Sequence, residues 1–177
     1  MRPRAEQSSR AGRWVRRYPS SAALGTAVAV ILTTFGGLLA GSPPAGAQAP
    51  PIYQVSTGSV HGLGKVLVDG QGMTLYVFAP DKHSGSSKCY GTCAQGWPPL
   101  ILTGGASHAL AGPGVKASLL GTTKRKDGTV EVTYKKWPLY TWVGDTQPGV
   151  ATGQDLNNLG GKWYVITAKG MIITKRP

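Results

Sequence analysis

Residues 75–81 read LYVFAPD, and residues 139–145, which lie 64 positions later, read LYTWVGD. Both segments follow the pattern Leu-Tyr-x-aromatic-x-x-Asp. The repeated motif residues are Tyr76 and Tyr140, Phe78 and Trp142, and Asp81 and Asp145. At the same offset and without a gap, residues 64–68 (GKVLV) align with residues 128–132 (GTVEV). This agreement predicts an internal duplication, with repeats at about 64–105 and 128–168.

Each repeat predicts a β-hairpin. The Val-x-Val stretches alternate with period two, as half-buried strands do. Residues 69–72 (DGQG) supply a glycine-rich turn in the first repeat, and Tyr134-Lys135-Lys136 supplies the turn in the second. A strand from Met73 to Phe78 and another from Trp137 to Trp142 follow these turns. The alternation places the motif aromatics of each repeat on one face.

The rest of the chain after residue 50 also favours short strands over helices. It shows no convincing helical period, and the whole sequence contains 26 glycines and 13 prolines. Further strand candidates are Ile52–Thr57, Leu100–Thr103, Val115–Leu120, Trp163–Thr167 and Met171–Thr174. We therefore predict an all-β fold, a small antiparallel β-sandwich or barrel of about eight short strands with an internal pseudo-two-fold repeat.

The N-terminal segment has the features of an export signal. Residues 1–21 are polar and basic, residues 22–40 are apolar or small, and Ser42-Pro43-Pro44 breaks any helix. Ala45-Gly46-Ala47 then fits the small-x-small pattern of a cleavage site. We predict a signal peptide at 1–47, an N-terminal linker and first strand at 48–60, and a single β domain at 61–177. Membrane attachment is expected only if the apolar segment stays uncleaved.

The net charge of +12 divides between the signal and the domain. Six of the 19 basic residues precede the apolar segment, so 13 basic and 6 acidic residues remain after residue 47. The one basic cluster, Lys124-Arg125-Lys126, is followed by the turn signal Asp127-Gly128, which favours a solvated turn over a nucleic-acid contact. We expect a monomer with no nucleic-acid partner. Anionic cell-wall or surface polymers are the partners that this charge would attract.

Four segments in a fixed order resemble the bacterial secreted-repeat lipoprotein family of unknown function, which is named for its Tyr-x-aromatic-x-x-Asp motif. They are GMTLYVFAPD (72–81), KCYGTCAQGWPPL (88–100), TYKKWPLYTWVGD (133–145) and GGKWYVI (160–166). The resemblance implies an extracytoplasmic, β-rich protein and implies no activity. No cysteine precedes Cys89, so the lipid-modified N-terminal cysteine of many members is absent, which favours free secretion. Lys136 also stands where the family usually has glycine.

Cys89 and Cys93 are the only cysteines, and both lie in the exported part. Outside the cytosol such a pair tends to oxidise, which predicts a structural disulfide closing a very short loop. A redox-active pair and a metal site are the alternatives. The three histidines, His61, His83 and His108, share no element face, so the sequence predicts no metal site and no cofactor.

Asp81 and Asp145 occupy equivalent positions in the two repeats. Paired carboxylates occur in glycosidases and aspartic proteases, but the Asp-Thr-Gly type of signature is missing from both places. We expect each aspartate to accept backbone N–H bonds in the turn that leaves its strand. Contact with a ligand or a cation is the second interpretation. No catalytic residue is predicted, and an enzymatic role is not expected.

The aromatic residues allow two interpretations. In one, a groove for sugars or peptides is lined by Trp97, Trp137 and Trp163 together with the motif aromatics. In the other, these side chains pack in the core, and this interpretation is favoured because aromatic residues on strands are more often buried. Together the features predict a secreted or envelope-associated, non-enzymatic binding or structural module of unknown ligand. The alternative is an extracytoplasmic redox or metal-handling protein that uses Cys89 and Cys93.

Overall fold

The structure, a computed structural model, describes residues 49–176. The predicted signal peptide at residues 1–47 lies outside the described residues. Among the described residues, none of the helices combines the length and the apolar composition that crossing a membrane requires.

Short strands make up most of the regular structure of residues 49–176. The nine strands are β1 (Gln54–Val60), β2 (Gly64–Val68), β3 (Tyr76–Phe78), β4 (Leu110–Ala111), β5 (Leu120–Lys124), β6 (Val130–Tyr134), β7 (Trp137–Pro138), β8 (Asn157–Asn158) and β9 (Gly161–Val165). One helix, α1 (Thr92–Gly96), and two 3₁₀ turns, Ala79–Asp81 and Ala117–Leu119, complete the described part. The all-β prediction is confirmed.

The strand predicted at Val115–Leu120 is wrong over most of its length. Gly114 has a φ of +79°, a left-handed conformation that turns the chain just before this segment. The Leu119 N–H then donates to the carbonyl of Lys116 at 3.0 Å and closes a 3₁₀ turn. Strand β5 therefore begins only at Leu120.

The strands form three small sheets, with the orders β2-β1-β4, β3-β9-β8 and β5-β6-β7. Two antiparallel hairpins, β1–β2 and β5–β6, each pair five residues with five. Strand β4 pairs parallel with β1, and the other strand pairs of residues 49–176 are antiparallel. The two hairpins are the corresponding parts of the two repeats.

The two repeats meet at Tyr76 and Tyr140. The Tyr76 N–H donates to the Tyr140 carbonyl at 2.8 Å, and the Tyr140 N–H donates to the Tyr76 carbonyl at 3.0 Å. On the other side of the strand, Tyr76 faces Val165 and Tyr140 correspondingly faces Pro99. Equivalent residues that exchange both backbone hydrogen bonds lie on a local two-fold axis. The predicted pseudo-two-fold repeat is confirmed.

The two hairpins align only with a one-residue gap, which the gapless sequence alignment missed. The Leu75 N–H donates to the carbonyl of Leu67 at 2.9 Å, and the equivalent Leu139 N–H donates to the carbonyl of Val132 at 3.0 Å. Leu67, and not Val68, is thus the counterpart of Val132. A one-residue change of register reverses which face each side chain occupies, so this correction decides which side chains are equivalent.

The gap lies in the turns. Val68 faces Thr74 across a glycine-rich loop. Tyr134 faces Trp137 across the two-residue turn of Lys135 and Lys136, which have φ values of 48° and 65°. Two consecutive residues with positive φ are typical of the type I′ hairpin turn.

Two clusters of buried side chains form the core, on opposite faces of β3. The first contains the motif aromatics Tyr76, Phe78 and Tyr140 with Trp97 and Trp163. The second is mostly aliphatic and contains Val55, Leu67, Leu75, Val77, Leu100, Val132, Tyr134, Leu139 and Ile166. Because successive side chains of a strand point to opposite faces, β3 contributes to both clusters and is buried on both sides.

Candidate functional site

The motif tyrosines and aspartates link the two repeats reciprocally. Tyr76 donates its hydroxyl hydrogen bond to Asp145 Oδ2 at 2.7 Å. Tyr140 donates in the same way to Asp81 Oδ2 at 2.8 Å. Burial raises the pKa of both tyrosines above their ordinary value, so both remain protonated donors at neutral pH. Each repeat therefore supplies the acceptor for the other repeat's tyrosine.

The second carboxylate oxygen of each aspartate binds the chain of its own repeat. Asp81 Oδ1 accepts the Lys88 N–H at 2.8 Å, and Asp145 Oδ1 accepts the Thr152 N–H at 2.8 Å. In both repeats the donor lies seven residues after the aspartate. Each aspartate thus closes a loop in its own repeat, and the bond to the other repeat's tyrosine was not foreseen from the sequence.

Four aromatic rings stack through the centre of the first cluster. Trp97 and Trp163 lie face to face, with ring centroids 3.9 Å apart and ring planes at 3°. Phe78 stacks on the outer face of Trp163 at 4.2 Å, and Trp142 stacks on the outer face of Trp97 at 4.3 Å. Trp97 and Trp163 are fully buried. These two rings pack in the core and present no face to a ligand.

Trp137 is placed differently. It is half-buried against the aliphatic cluster, and its ring centroid lies 5.5 Å from that of His83. The structure therefore separates the three predicted ligand-facing tryptophans into two core residues and one near the surface.

The region around Asp81 contains a buried ion pair. Arg125 donates from one guanidinium nitrogen to Glu131 Oε2 at 2.7 Å and to Ser87 Oγ at 2.6 Å. Its other terminal nitrogen donates to the carbonyl of Cys89 at 2.7 Å. Both charged side chains are almost completely buried. We call the group of Asp81, Ser87, Arg125, Glu131 and Tyr140 the charged corner.

Both carboxyl groups of the charged corner bind protons more tightly than usual. Burial raises the pKa of Glu131 to about 8, although Arg125 opposes the rise. Burial also raises the pKa of Asp81 to about 6, against the bonds from Tyr140 and the Lys88 N–H. Glu131 Oε1 is the one buried side-chain oxygen or nitrogen within residues 49–176 that has no hydrogen-bond partner. A protonated Glu131 lowers the cost of burying that oxygen.

The equivalent region of the other repeat is apolar. With the corrected register, Val60 and Val66 take the places of Arg125 and Glu131, because they occupy the same pairing positions of the β1–β2 hairpin. Ala151 takes the place of Ser87. All three belong to the aromatic cluster. We call Val60, Val66, Ala151, Tyr76 and Asp145 the apolar corner.

Cys89 and Cys93 form the predicted disulfide, with their Cα atoms 5.2 Å apart. Cys89 is fully buried in the aromatic cluster, and Cys93 lies in α1 and is partly buried. The carbonyl of Cys89 accepts the hydrogen bond from Arg125, so the disulfide loop is attached to the charged corner.

Sequence reasoning missed Arg125 and Glu131. The sequence predicts a solvated turn around Arg125, yet this side chain is almost completely buried. The signal available in the sequence is Glu131, an acid that stands opposite an apolar residue in either alignment, Leu67 without a gap and Val66 in the corrected register. A charged residue in place of an apolar one requires a buried partner, and Arg125 lies in the hairpin that carries Glu131.

The acidic residues of the described chain are either buried or in an ion pair with a basic side chain. Asp69, Asp81, Glu131 and Asp145 are buried. The remaining two form ion pairs, Asp127 with Arg125, and Asp155 with Lys162 and Arg176. The lysines of residues 49–176 are all exposed, and those without a carboxylate within 4.0 Å are Lys65, Lys82, Lys88, Lys116, Lys124, Lys126, Lys135, Lys136, Lys169 and Lys175.

Asp81, Glu131 and Asp145 do not line the three best-formed surface cavities of residues 49–176. The first, about 640 Å³, is bordered by residues 83–85, by residues 118–122, and by Lys135 and Lys136. Within the described part of the chain, no three His, Cys, Asp or Glu side chains are grouped so that they would hold a metal ion.

Among known proteins, this chain matches one family model. A family model described as a secreted repeat of unknown function matches residues 60–101 and 121–167, which together make up just over half of the chain. The two matched segments correspond to the two repeats that meet at Tyr76 and Tyr140. Neither the curated proteins nor the solved structures contain a match.

Proposed function

Because this chain belongs to the family of secreted repeats of unknown function and its domain is therefore extracytoplasmic, we propose that the domain is a non-enzymatic module that binds anionic polymers of the cell wall or cell surface. The observation that carries this proposal is the separation of charges by depth. The carboxylates of residues 49–176 are buried or paired, whereas ten exposed lysines have no carboxylate of these same residues within 4.0 Å.

Such a separation produces an attractive field for anions. On a surface of mixed charge, neighbouring opposite charges cancel each other's potential, whereas unpaired lysines keep a positive potential out to roughly one Debye length, about 10 Å at 0.1 M salt. The predicted cleavage after Ala47 removes six arginines and still leaves 13 basic against 6 acidic residues. The positive charge therefore belongs to the folded domain and not only to the export signal.

The positions of the motif carboxylates favour binding over catalysis. Each oxygen of Asp81 and Asp145 already accepts a hydrogen bond within the protein. Neither aspartate lines any of the cavities described above. A catalytic carboxylate has to reach its substrate, so these two act as links between the repeats.

A binding assay with defined polymers tests the proposal. We would titrate the exported protein with poly(glycerol phosphate), with polygalacturonate and with neutral dextran, at several salt concentrations. We expect both anionic polymers to bind, and the affinity to fall by at least about tenfold between roughly 0.05 and 0.5 M salt as the lysines are screened. Dextran is the control that should not bind.

Two results would contradict the proposal. One is the absence of binding to either anionic polymer at low salt. The other is binding to dextran as tight as binding to the charged polymers, since that would assign recognition to the sugar and not to the charge. Duplex DNA of similar charge density serves as a further arm, and a clear preference for DNA would redirect the proposal to nucleic acid.

A further inference from the structure

We infer that the first surface cavity is the place where the anionic groups of such a polymer bind, an inference that rests on the proposed function. We call it the lysine groove. It measures about 640 Å³ and is bordered by His83, Ser84, Lys135 and Lys136 on one side and by the start of β5 on the other. This volume lies within the range of about 300–1,000 Å³ that is usual for ligand sites.

Backbone strain is concentrated beside this groove. Within residues 49–176, six non-glycine residues have positive φ, and four of them are Lys82, His83, Lys135 and Lys136. A non-glycine residue in this region costs of order 1 kcal/mol and persists only where the surroundings impose it. Two separate segments thus carry consecutive residues with positive φ, and the cavity is lined by His83 of one and by Lys135 and Lys136 of the other.

The two segments are fixed to each other. The Gly85 N–H donates to the carbonyl of Lys136 at 2.9 Å, and the rings of His83 and Trp137 lie close together. The turn at Lys135 is in addition held by its N–H, which donates to the carbonyl of Leu119 at 2.6 Å. Groups that are held in place before binding lose less entropy when a ligand arrives.

The lining of the groove suits a charged sugar polymer. Lys135 and Lys136 are exposed and have no carboxylate within 4.0 Å in the described structure, and no acidic residue lines the cavity. Neutral hydrogen-bonding groups are supplied by Ser84, Ser118, Thr122 and Thr133. Lysine ammonium groups bind phosphate or carboxylate oxygens, while hydroxyls suit sugar hydroxyls. The ligand is therefore a polymer that carries phosphate or carboxylate groups.

A pair of matched charge variants tests the groove. K135N/K136N removes two groove charges, and asparagine tolerates positive φ better than most residues, so the turn is retained. K65N/K175N removes two exposed lysines that do not line the groove. With poly(glycerol phosphate) and polygalacturonate at one salt concentration, we expect the groove variant to bind at least about tenfold more weakly, the cost of one lost charged hydrogen bond. We expect a loss of only about twofold in the control variant.

The outcomes separate the two proposals. Equal losses in the two double variants would overturn the groove and leave binding by general surface charge intact. If the unmodified protein binds neither polymer, the proposed function fails first. K135R/K136R should retain most of the affinity, and a loss in this variant as large as in K135N/K136N would assign the effect to the turn and overturn the role of the charges. A drop for only one polymer identifies whether phosphate or carboxylate is bound.

Discussion

The charged corner and the apolar corner occupy equivalent positions in the two repeats and share one tyrosine–aspartate frame. In the charged corner, Tyr140 and Asp81 are surrounded by Arg125, Glu131 and Ser87. In the apolar corner, Tyr76 and Asp145 are surrounded by Val60, Val66 and Ala151.

The difference shows which interactions the repeat needs. The apolar corner retains the hydrogen bond between tyrosine and aspartate without any buried ion pair, so the Tyr–Asp link is the common unit of both halves. An ion pair inside a protein gains Coulomb energy but loses hydration, and apolar side chains of similar volume often serve equally well. We therefore expect that Arg125 and Glu131 can be replaced together by apolar residues. Replacing either one alone should destabilise the fold.

Removing one member of the pair should have the largest effect. The variant R125M leaves Glu131 buried without its cation, and we expect the free energy of unfolding to fall by about 3–5 kcal/mol. Urea denaturation at pH 9, above the pKa of Glu131 in the folded protein, measures this loss. The variant R125M/E131L makes the charged corner resemble the apolar corner and should recover most of the stability. A double variant as unstable as the single one would show that the ion pair itself is required.

The stability of the charged corner should depend on pH. The pKa of Glu131 is about 8 in the folded protein and close to the ordinary glutamate value of 4.5 after unfolding, so the folded state holds this proton more tightly. The resulting stabilisation is complete below about pH 4.5 and is lost as the pH rises towards 8. We expect the free energy of unfolding to fall by up to about 1.4 kcal/mol per pH unit within this window.

The variant E131Q provides the comparison for the pH series. Glutamine keeps the shape of the side chain and cannot titrate, so its stability should change much less between pH 6 and 8. The raised pKa of Asp81, about 6, leaves a smaller dependence at lower pH in both proteins. Identical slopes in the two proteins above pH 6 would contradict the assignment of the proton to Glu131.

Removing the tyrosine hydroxyls should have a smaller effect that is similar in both corners. Y76F and Y140F each delete a buried hydrogen bond to a carboxylate, and we expect each to cost about 1.5–3 kcal/mol of unfolding free energy. Double-mutant cycles with D145N and D81N, respectively, measure the coupling within each pair. A large cost in one corner and none in the other would refute the view that the two links are equivalent.

The repeat, the all-β character and the disulfide could be predicted because their signals are local. The Leu-Tyr-x-aromatic-x-x-Asp motif repeats at a constant spacing, alternation marks the strands, and Cys89 and Cys93 are separated by a short loop. The register of the first hairpin could not be predicted, because Val66, Leu67 and Val68 are all buried and an unbroken apolar run does not reveal which face points where. The strand expected at Val115–Leu120 failed because Gly114 turns the chain before it.

By itself, the sequence determined that this chain is a duplicated, all-β protein with a positively charged domain, since composition and periodicity require no knowledge of distant contacts. Only the tertiary structure decided that Asp81 binds Tyr140, that Trp97 and Trp163 stack in the core, and that Arg125 is buried against Glu131. It also decided that the acids lie inside or in ion pairs while the lysines stay outside. These outcomes depend on which residues meet across the pseudo-two-fold axis, and contacts between residues far apart in the chain have no local signature.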